Sequence, residues 1–439
     1  RAVSLELRWK SCLRDSDMRV ALFTPLSPMH SGIVDHAESL LPVLKQCLDV
    51  TVITDGSYHP SHPMFQKGSD GYIPWMDYQE FEEQTSEFDL IVYQLGNEPH
   101  IHGYMFEALH RYPGLVCLHD LTLHHAIAGL ALERGDEEAY VAEMRYSYGA
   151  RGEELARQVM RGQGEQVLNQ YPLVERVLDS SLAVMGFNGY MCDCIRELRP
   201  ELPIRAIPLH LYEQGDLPAD FDAGSFRCQH ALADGPLLGT FGLANPNNRL
   251  HVVLAAFSML VKRYPDATYL LVGSPPDKLG IEASIKAHGL EENVRFTGWV
   301  SQGDFIRYML SVDLAVQLRY PHAGSTCYPP IRLLSRGIPT IISDIAPMAE
   351  LPLDCVVRIP PEASGEEALL FAAMDYLLEK RKVAQAMAKR GQAYVREQHK
   401  VTAVACELAN LMREVAERRK ALAEIQHLAN FYSLRAFRD

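Results

Sequence analysis

No run of 18 apolar residues occurs in the 439-residue chain, so the sequence predicts no membrane-spanning helix. No signal peptide is visible in these residues either, and the sequence opens on an arginine. Excess positive charge is absent: 42 Lys and Arg stand against 56 Asp and Glu, a net charge of −14. That balance argues against nucleic acid as a partner held through its phosphates. Cysteine shows no framework. The nine, at 12, 47, 117, 192, 194, 228, 327, 355 and 406, are odd in number, and several lie in apolar runs. They read as buried thiols of a reducing, cytoplasmic setting. Cys192 and Cys194 stand two apart on an expected helix, where side chains diverge, so a metal pair there is not the expected reading. The last absence is local. From Gly324 to Ser343, "GSTCYPPIRLLSRGIPTIIS", there is no carboxylate.

What is present is the composition of a globular protein, 47% hydrophobic and 22% charged. The length predicts two domains of roughly 200 residues. Short apolar runs alternate with longer helical patterns, the sign of βαβ units and parallel sheets. Strands are expected at 19–24, 49–54, 89–95, 115–119, 182–187 and around Ile204, with a charged helical insertion over 134–180. Residues 208–236, rich in Gly, Pro and Asp, read as a linker. The rhythm restarts at 237–242, 267–273, 293–298, 313–319, 339–344 and 355–359, and the chain is helical from Glu366. The expectation is an α/β protein of two Rossmann-like halves, 18–207 and 237–410, facing across a cleft. Residues 1–17 read as a tag, a linker or the end of a preceding domain, and 411–439 as a C-terminal helix crossing back to the first half. Ligands of such sheets sit beyond the C-terminal strand ends.

Several loops there carry chemistry. "TPLSPMHSGIVDHAESLL" puts Gly32 where a strand meets a helix, and free amides at such a turn suit a phosphate or a close-approaching substrate. His100, His102, His110, His119, His124 and His125 crowd into 26 residues. A metal centre, a polar wall with one or two functional imidazoles, and structural histidines are three open readings. His100 and His102 are expected to alternate along an extended loop after Asn97. His119 and Asp120 directly follow the buried run "LVCL", which projects them into the crevice. In the second half Asn247, Asn248 and Arg249 open a helix, and Arg249 is a candidate to hold a diphosphate bidentately.

The ordered motifs "SPxxSGI", "YQLGN", "LHD", "FGxxxPxxR", "LVG", "VRFTGWV", "DLAVQLRYPxxGxT", "RGIPTIISD" and "AELP" resemble the retaining glycosyltransferases of family 4, which have the GT-B fold. The resemblance spans about residues 18 to 410 and is nearest to members acting in bacterial surface polysaccharide or lipid-linked glycan synthesis. It implies a hexosyltransferase with a nucleoside diphosphate sugar as donor, a glycan or lipid-linked acceptor, and neither cofactor nor metal. It implies an acceptor-side first domain, with Asn97, His100 and His102, and a nucleotide-sugar second domain. By position it puts Gly32 beside the donor phosphates and His119, with Asp120, at the reaction centre. Asn248 and Arg249 would hold the diphosphate. Gly273 and Arg319 would frame the nucleotide, and Gly324, Ser325, Thr326 and Cys327, with a helix from Ile331, would hold the sugar and ribose.

The departures are as informative as the matches. Ser325 stands where relatives carry a glutamate, Arg332 near the place of a second glutamate, and Asn248 where a lysine is usual. Losing one charge-assisted bond of roughly 1.5–3 kcal/mol weakens binding by about one to two orders of magnitude. A second reading is therefore a GT-B module without catalysis, acting as a scaffold subunit or as a domain of a larger transferase. A third is another sugar-nucleotide chemistry or a histidine–metal hydrolase. The run Arg418, Arg419, Lys420 is either a solvated helix face or a contact with the inner membrane surface.

Overall fold

The computed structural model describes residues 18–212, 221–232, 235–242, 245–273, 280–322 and 324–436. Residues 1–17 and, of the expected linker, residues 213–220 and 233–234 lie outside them. The chain divides into two compact units: residues 1–212 with 323–325 and 401–439, and residues 213–322 with 326–400.

The first unit is a parallel seven-stranded sheet in the order β3-β2-β1-β4-β5-β6-β7. Its strands are β1 (Arg19–Phe23), β2 (Asp49–Thr54), β3 (Trp75–Asp77), β4 (Leu90–Leu95), β5 (Leu115–Leu118), β6 (Ala183–Gly186) and β7 (Ile204–Ala206). All six residues of β4, "LIVYQL", are buried, as a strand covered on both faces requires. The short edge strand β3 has no counterpart in the sequence reading. Two caps start the helices that follow β1 and β4. Ser31 Oγ accepts from Ile33 N (3.1 Å) ahead of Gly32–Leu44, and Glu98 Oε2 accepts from Ile101 N (2.7 Å) ahead of Pro99–Arg111. The buried Glu38 reaches back to accept from Ser27 N (2.8 Å) and Ser27 Oγ (3.0 Å), fixing the loop between β1 and its helix. The expected insertion is helical at Glu137–Met160, Glu165–Gln170 and Glu175–Asp179, with a break at Gly149 (φ 62°).

The second unit is a parallel six-stranded sheet in the order β10-β9-β8-β11-β12-β13. These strands are β8 (Leu237–Phe241), β9 (Thr268–Val272), β10 (Val294–Gly298), β11 (Leu314–Gln317), β12 (Thr340–Ser343) and β13 (Val357–Ile359). The described part of the expected linker contributes a helix, Ala223–Gln229, whose Phe226 packs edge-on against Tyr308 at 5.0 Å. The ends of β8 and β9 abut closely. Gly242 N donates to Val272 O (2.9 Å), and a Cβ on Gly273 would fall 2.1 Å from Gly242 O. Gly273 also has φ of +144°. Glycine is thus required by backbone crowding there, whatever it binds.

The C-terminal helix, Val401–Ala436, starts earlier than the expected 411. Its apolar stripe is continuous through Val404, Leu408, Leu411, Met412 and Val415, all buried, and it packs on Gly32–Leu44. Polar anchors fix it further. Arg413 Nη2 donates to Cys47 O (2.9 Å), Arg419 Nη1 to Asp89 O (3.0 Å), and Lys420 Nζ lies 3.2 Å from Asp89 Oδ1. Two members of the run considered for a membrane are therefore engaged within this unit. No helix among the described residues is long and apolar enough to cross a membrane. Among the described residues Cys47, Cys117, Cys192, Cys194, Cys228, Cys327 and Cys355 are free thiols.

Gly273→Ala should cost about 2 kcal/mol or more, because the new Cβ meets a carbonyl in a strained backbone region. Denaturant unfolding checks this, and a midpoint equal to wild type would contradict it. Burial opposes ionisation of Asp89, but the Arg19 amide, Lys420 and Arg419 outweigh it and hold its pKa below 3.8. A carboxylate depressed on folding stabilises above its unfolded pKa and loses that contribution as pH falls below 3.8. Hydrogen exchange of the C-terminal helix should quicken over that acid range, and Asp89→Asn should quicken it already at neutral pH.

Candidate functional site

In each sheet the strand order reverses beside the first strand of the unit, between β1 and β4 and between β8 and β11. Loops at such a point diverge and leave a crevice beyond the C-terminal strand ends. In the first unit that edge gathers imidazoles. His119 follows β5, His210 lies beyond β7, and His36 enters on the helix after β1. The His36 ring centre lies 5.3 Å from His119, 4.5 Å from His210 and 5.3 Å from Phe187. His119 lies 4.4 Å from Phe187. His119 N donates to Leu95 O (2.8 Å), and its Nε2 pairs with Gln94 Oε1 (3.0 Å). That partner is an acceptor, so Nε2 carries the proton and Nδ1 of the neutral ring keeps its lone pair. Ser39 Oγ pairs with His210 Nε2 at 2.7 Å.

His119, His102 and His36 are held neutral. Burial, then the neighbouring His102, lowers His119 to about 3. Burial lowers His102 to about 4, against a hydrogen bond to the Gln94 backbone. Burial, then His210 and His119, puts His36 well below its ordinary value. The Nδ1 atoms of His36 and His102 are buried without a hydrogen-bond partner among the described residues.

The other expected residues of this unit separate. His100 and His102 lie on the helix Pro99–Arg111 rather than on an extended loop, because Glu98 and Pro99 start a helix at once. Two positions apart on a helix they diverge: His100 is exposed beside Glu133 (3.5 Å), whereas His102 is buried against Gly96. Asp120 Oδ2 accepts from Asn97 N (3.2 Å) and Asn97 Oδ1 from Ala126 N (2.9 Å), so both stitch adjacent loops. His124 is structural, held by Tyr171 O and Tyr140 OH at 2.7 Å each, while His110 and His125 are exposed. Gly32 is exposed at its helix N-terminus, with nothing within 4 Å of where a Cβ would stand. Gly324 O accepts from Asn188 Nδ2 (3.1 Å), and Ser325 beside it is half-buried. No group of three or more His, Cys, Asp or Glu among the described residues is placed to hold a metal ion.

The second unit presents its own residues at the β8/β11 switch. Asn248 is buried and turns inward, its Oδ1 accepting from Asn245 N (2.7 Å). Arg249 has a left-handed backbone (φ 50°, ψ 40°). Its guanidinium clamps Glu366, Nε to Oε1 at 3.1 Å and Nη2 to Oε2 at 2.5 Å, and lies 5.6 Å from the Tyr320 ring. Arg319 N donates to Ser343 Oγ (2.9 Å) and its Nη1 reaches Cys327 Sγ (3.9 Å). Among the described residues Arg319 forms no ion pair. Its charge is felt nearby: burial first and Arg319 second lower His322, while burial raises the Cys327 thiol against the pull of Arg319. Thr326 and Cys327 precede a helix that starts at Tyr328, not at the expected Ile331. Prolines suit a first helical turn, and Pro329 and Pro330 supply no N–H, so this N-terminus offers fewer donors than most.

Sequence reasoning missed His36, His210, Gln94, His322 and Glu366. His36 had a usable signal, since it shares a helix face with Leu40 and Leu44. Glu366 had none, being paired across 117 positions.

Residues 226–394 match the family model described as Glycosyl transferases group 1. A curated relative, the alpha-D-kanosaminyltransferase of Streptomyces kanamyceticus, is 24% identical over 279 residues, 58% of this chain and 70% of that protein. HepE of Anabaena, solved with UDP and glucose, superposes with a TM-score of 0.62 at 17% identity, covering 90% of this chain and all of that one. The sucrose-phosphate synthase of Thermosynechococcus elongatus gives 0.62 at 15% identity, over 91% and 99% of the two chains. The fold is GT-B, two Rossmann-like domains with parallel sheets.

Because His119, His102 and His36 stay neutral while their unfolded counterparts protonate near 6.5, their contribution is present above pH 6.5 and is lost as pH falls from there towards 3. Each excluded proton steepens the loss by about 1.4 kcal/mol per pH unit. Urea unfolding between pH 7 and 5 should show the decline, and His102→Gln should remove one proton's share of the slope.

Proposed function

We propose that this chain is a retaining glycosyltransferase that moves a hexose from a nucleoside diphosphate sugar to a glycan or lipid-linked acceptor. The observation that carries this reading is His119, a neutral imidazole at the C-terminal end of β5, oriented by Gln94. As the anomeric bond breaks, positive charge builds on the sugar ring. A neutral ring with a free lone pair stabilises that charge, whereas an imidazolium would oppose it. The departing phosphate oxygen takes the acceptor's proton while the new bond forms on the same face. Arg319, a switch-point cation of the second unit without an acidic partner among the described residues, is assigned to the phosphates, and Gly32 to the close approach of the donor. A kanosaminyltransferase among the relatives and a UDP-glucose complex among the structural neighbours support a nucleotide-sugar donor. No metal is assigned.

One observation favours a second reading, a binding or scaffold module. Arg249 is clamped by Glu366, Asn248 caps its own turn, and Pro329 and Pro330 lack amides, so the second unit has few groups for a diphosphate.

Two measurements separate the readings. Calorimetric and thermal-shift titration with UDP, GDP, ADP, CMP and their sugar conjugates should give a selective response in wild type. Silence in wild type with binding restored by Ser325→Glu and Asn248→Lys would favour the scaffold. For an active enzyme, His119→Ala should lower kcat about 100-fold or more with little change in KM; an unchanged kcat would remove His119 from the reaction.

A further inference from the structure

We infer that Glu366 is an internal occupant of the diphosphate position: its carboxylate holds the Arg249 guanidinium in the place an anionic phosphate would take, so donor affinity is set by exchange between the two. This rests on the donor reading above. The loop 245–249 stands at the β8/β11 switch point of its own sheet, where a parallel α/β unit binds its ligand. Arg249 is the only fixed charge of that loop, since its neighbours are asparagines and a proline.

The geometry of the pair is the geometry of anion recognition. Two parallel contacts, 3.1 and 2.5 Å, engage both carboxylate oxygens, and a guanidinium forks a phosphate in the same way. The backbone of Arg249 is in the left-handed region, where glycine would sit without strain. A side chain kept there must repay that cost, and the clamp with the Tyr320 ring is what it contacts.

Both partners are withdrawn from water, Arg249 at 12% and Glu366 at 3% side-chain exposure. Opening the pair into nothing would strand a charge, whereas opening it onto a second oxyanion would not. Glu366 has a donor besides Arg249. It is the first residue of the helix Glu366–Glu379, where the dipole favours negative charge, and its Oε2 already accepts from Glu362 N at 2.8 Å. The exchange therefore moves one cation between two anions and leaves neither anion without donors.

Calorimetric titration of the full chain with UDP and with GDP at fixed salt tests this. Glu366→Gln should bind whichever nucleotide wild type prefers at least tenfold more tightly, and Arg249→Gln combined with it should abolish the gain. Should Glu366→Gln fail to fold, Glu366→Asp keeps the charge but loosens the clamp, and should give a smaller gain in the same direction. A folded Glu366→Gln or Glu366→Asp that binds as wild type does, or more weakly, overturns the role of Glu366 alone. Binding of neither nucleotide by wild type or any variant overturns the donor reading and this inference together.

Discussion

Parallel pairing is the constraint from which the rest follows. When every strand runs the same way, every strand end that can carry a loop towards a ligand lies along one edge of the sheet, and the helices are left to cover the faces. In the first unit that edge receives Gly32 after β1, Gln94 and Asn97 at β4, His119 after β5 and His210 after β7. In the second it receives Arg249 after β8 and Arg319 after β11. Residues far apart in sequence become neighbours without any motif of their own, because the topology leaves them one place to be. The buried Glu38 and the Asn97–Asp120 stitch show the same principle at smaller scale, with polar groups spent on fixing loops whose backbones must stay open.

The electrostatics of the two units differ in kind. Imidazoles crowd the first because burial keeps His36, His102 and His119 neutral: ring edges and faces pack like aromatics, and protonating one would place a cation against its neighbours. The second keeps full charges but cancels most of them locally. Arg249 is matched by Glu366 and Asn248 is neutral, which leaves Arg319 to act on its surroundings, as its effects on His322 and Cys327 show.

Much of this was legible in sequence, for reasons that can be named. Strands covered on both faces are unbroken apolar runs, so β4 and β8 declared themselves; β3, with three half-buried residues, did not. His119 was legible because it directly follows such a run. His100 and His102 were misread because their spacing suits a strand as well as a helix, and only the Glu98 cap and Pro99 decide between them. Arg249 was found but its partner was not: the fold brings Glu366 to it across more than a hundred residues, and no local pattern marks that pairing. The helix at Tyr328 was placed late because two prolines look like a loop, although proline is well tolerated in a first turn.

The departures from the resembled family are best weighed as charges rather than as a count of lost contacts. Serine at 325 in place of a glutamate removes one negative charge, and asparagine at 248 in place of a lysine removes one positive charge. Those two cancel, Arg332 near the place of a second glutamate makes the chain more positive by two, and the Arg249–Glu366 clamp adds none. The long-range field that steers an anionic donor depends on net charge and its distribution over tens of ångströms, so it is not weakened. What changes is short-range: charge-assisted bonds to sugar hydroxyls and to phosphate give way to neutral ones, each weaker and more tolerant of geometry. Such a site loses residence time more than encounter rate. Under the proposed function the paired substitution therefore means a weakly held donor, whose grip depends on freeing a guanidinium already engaged by its own carboxylate.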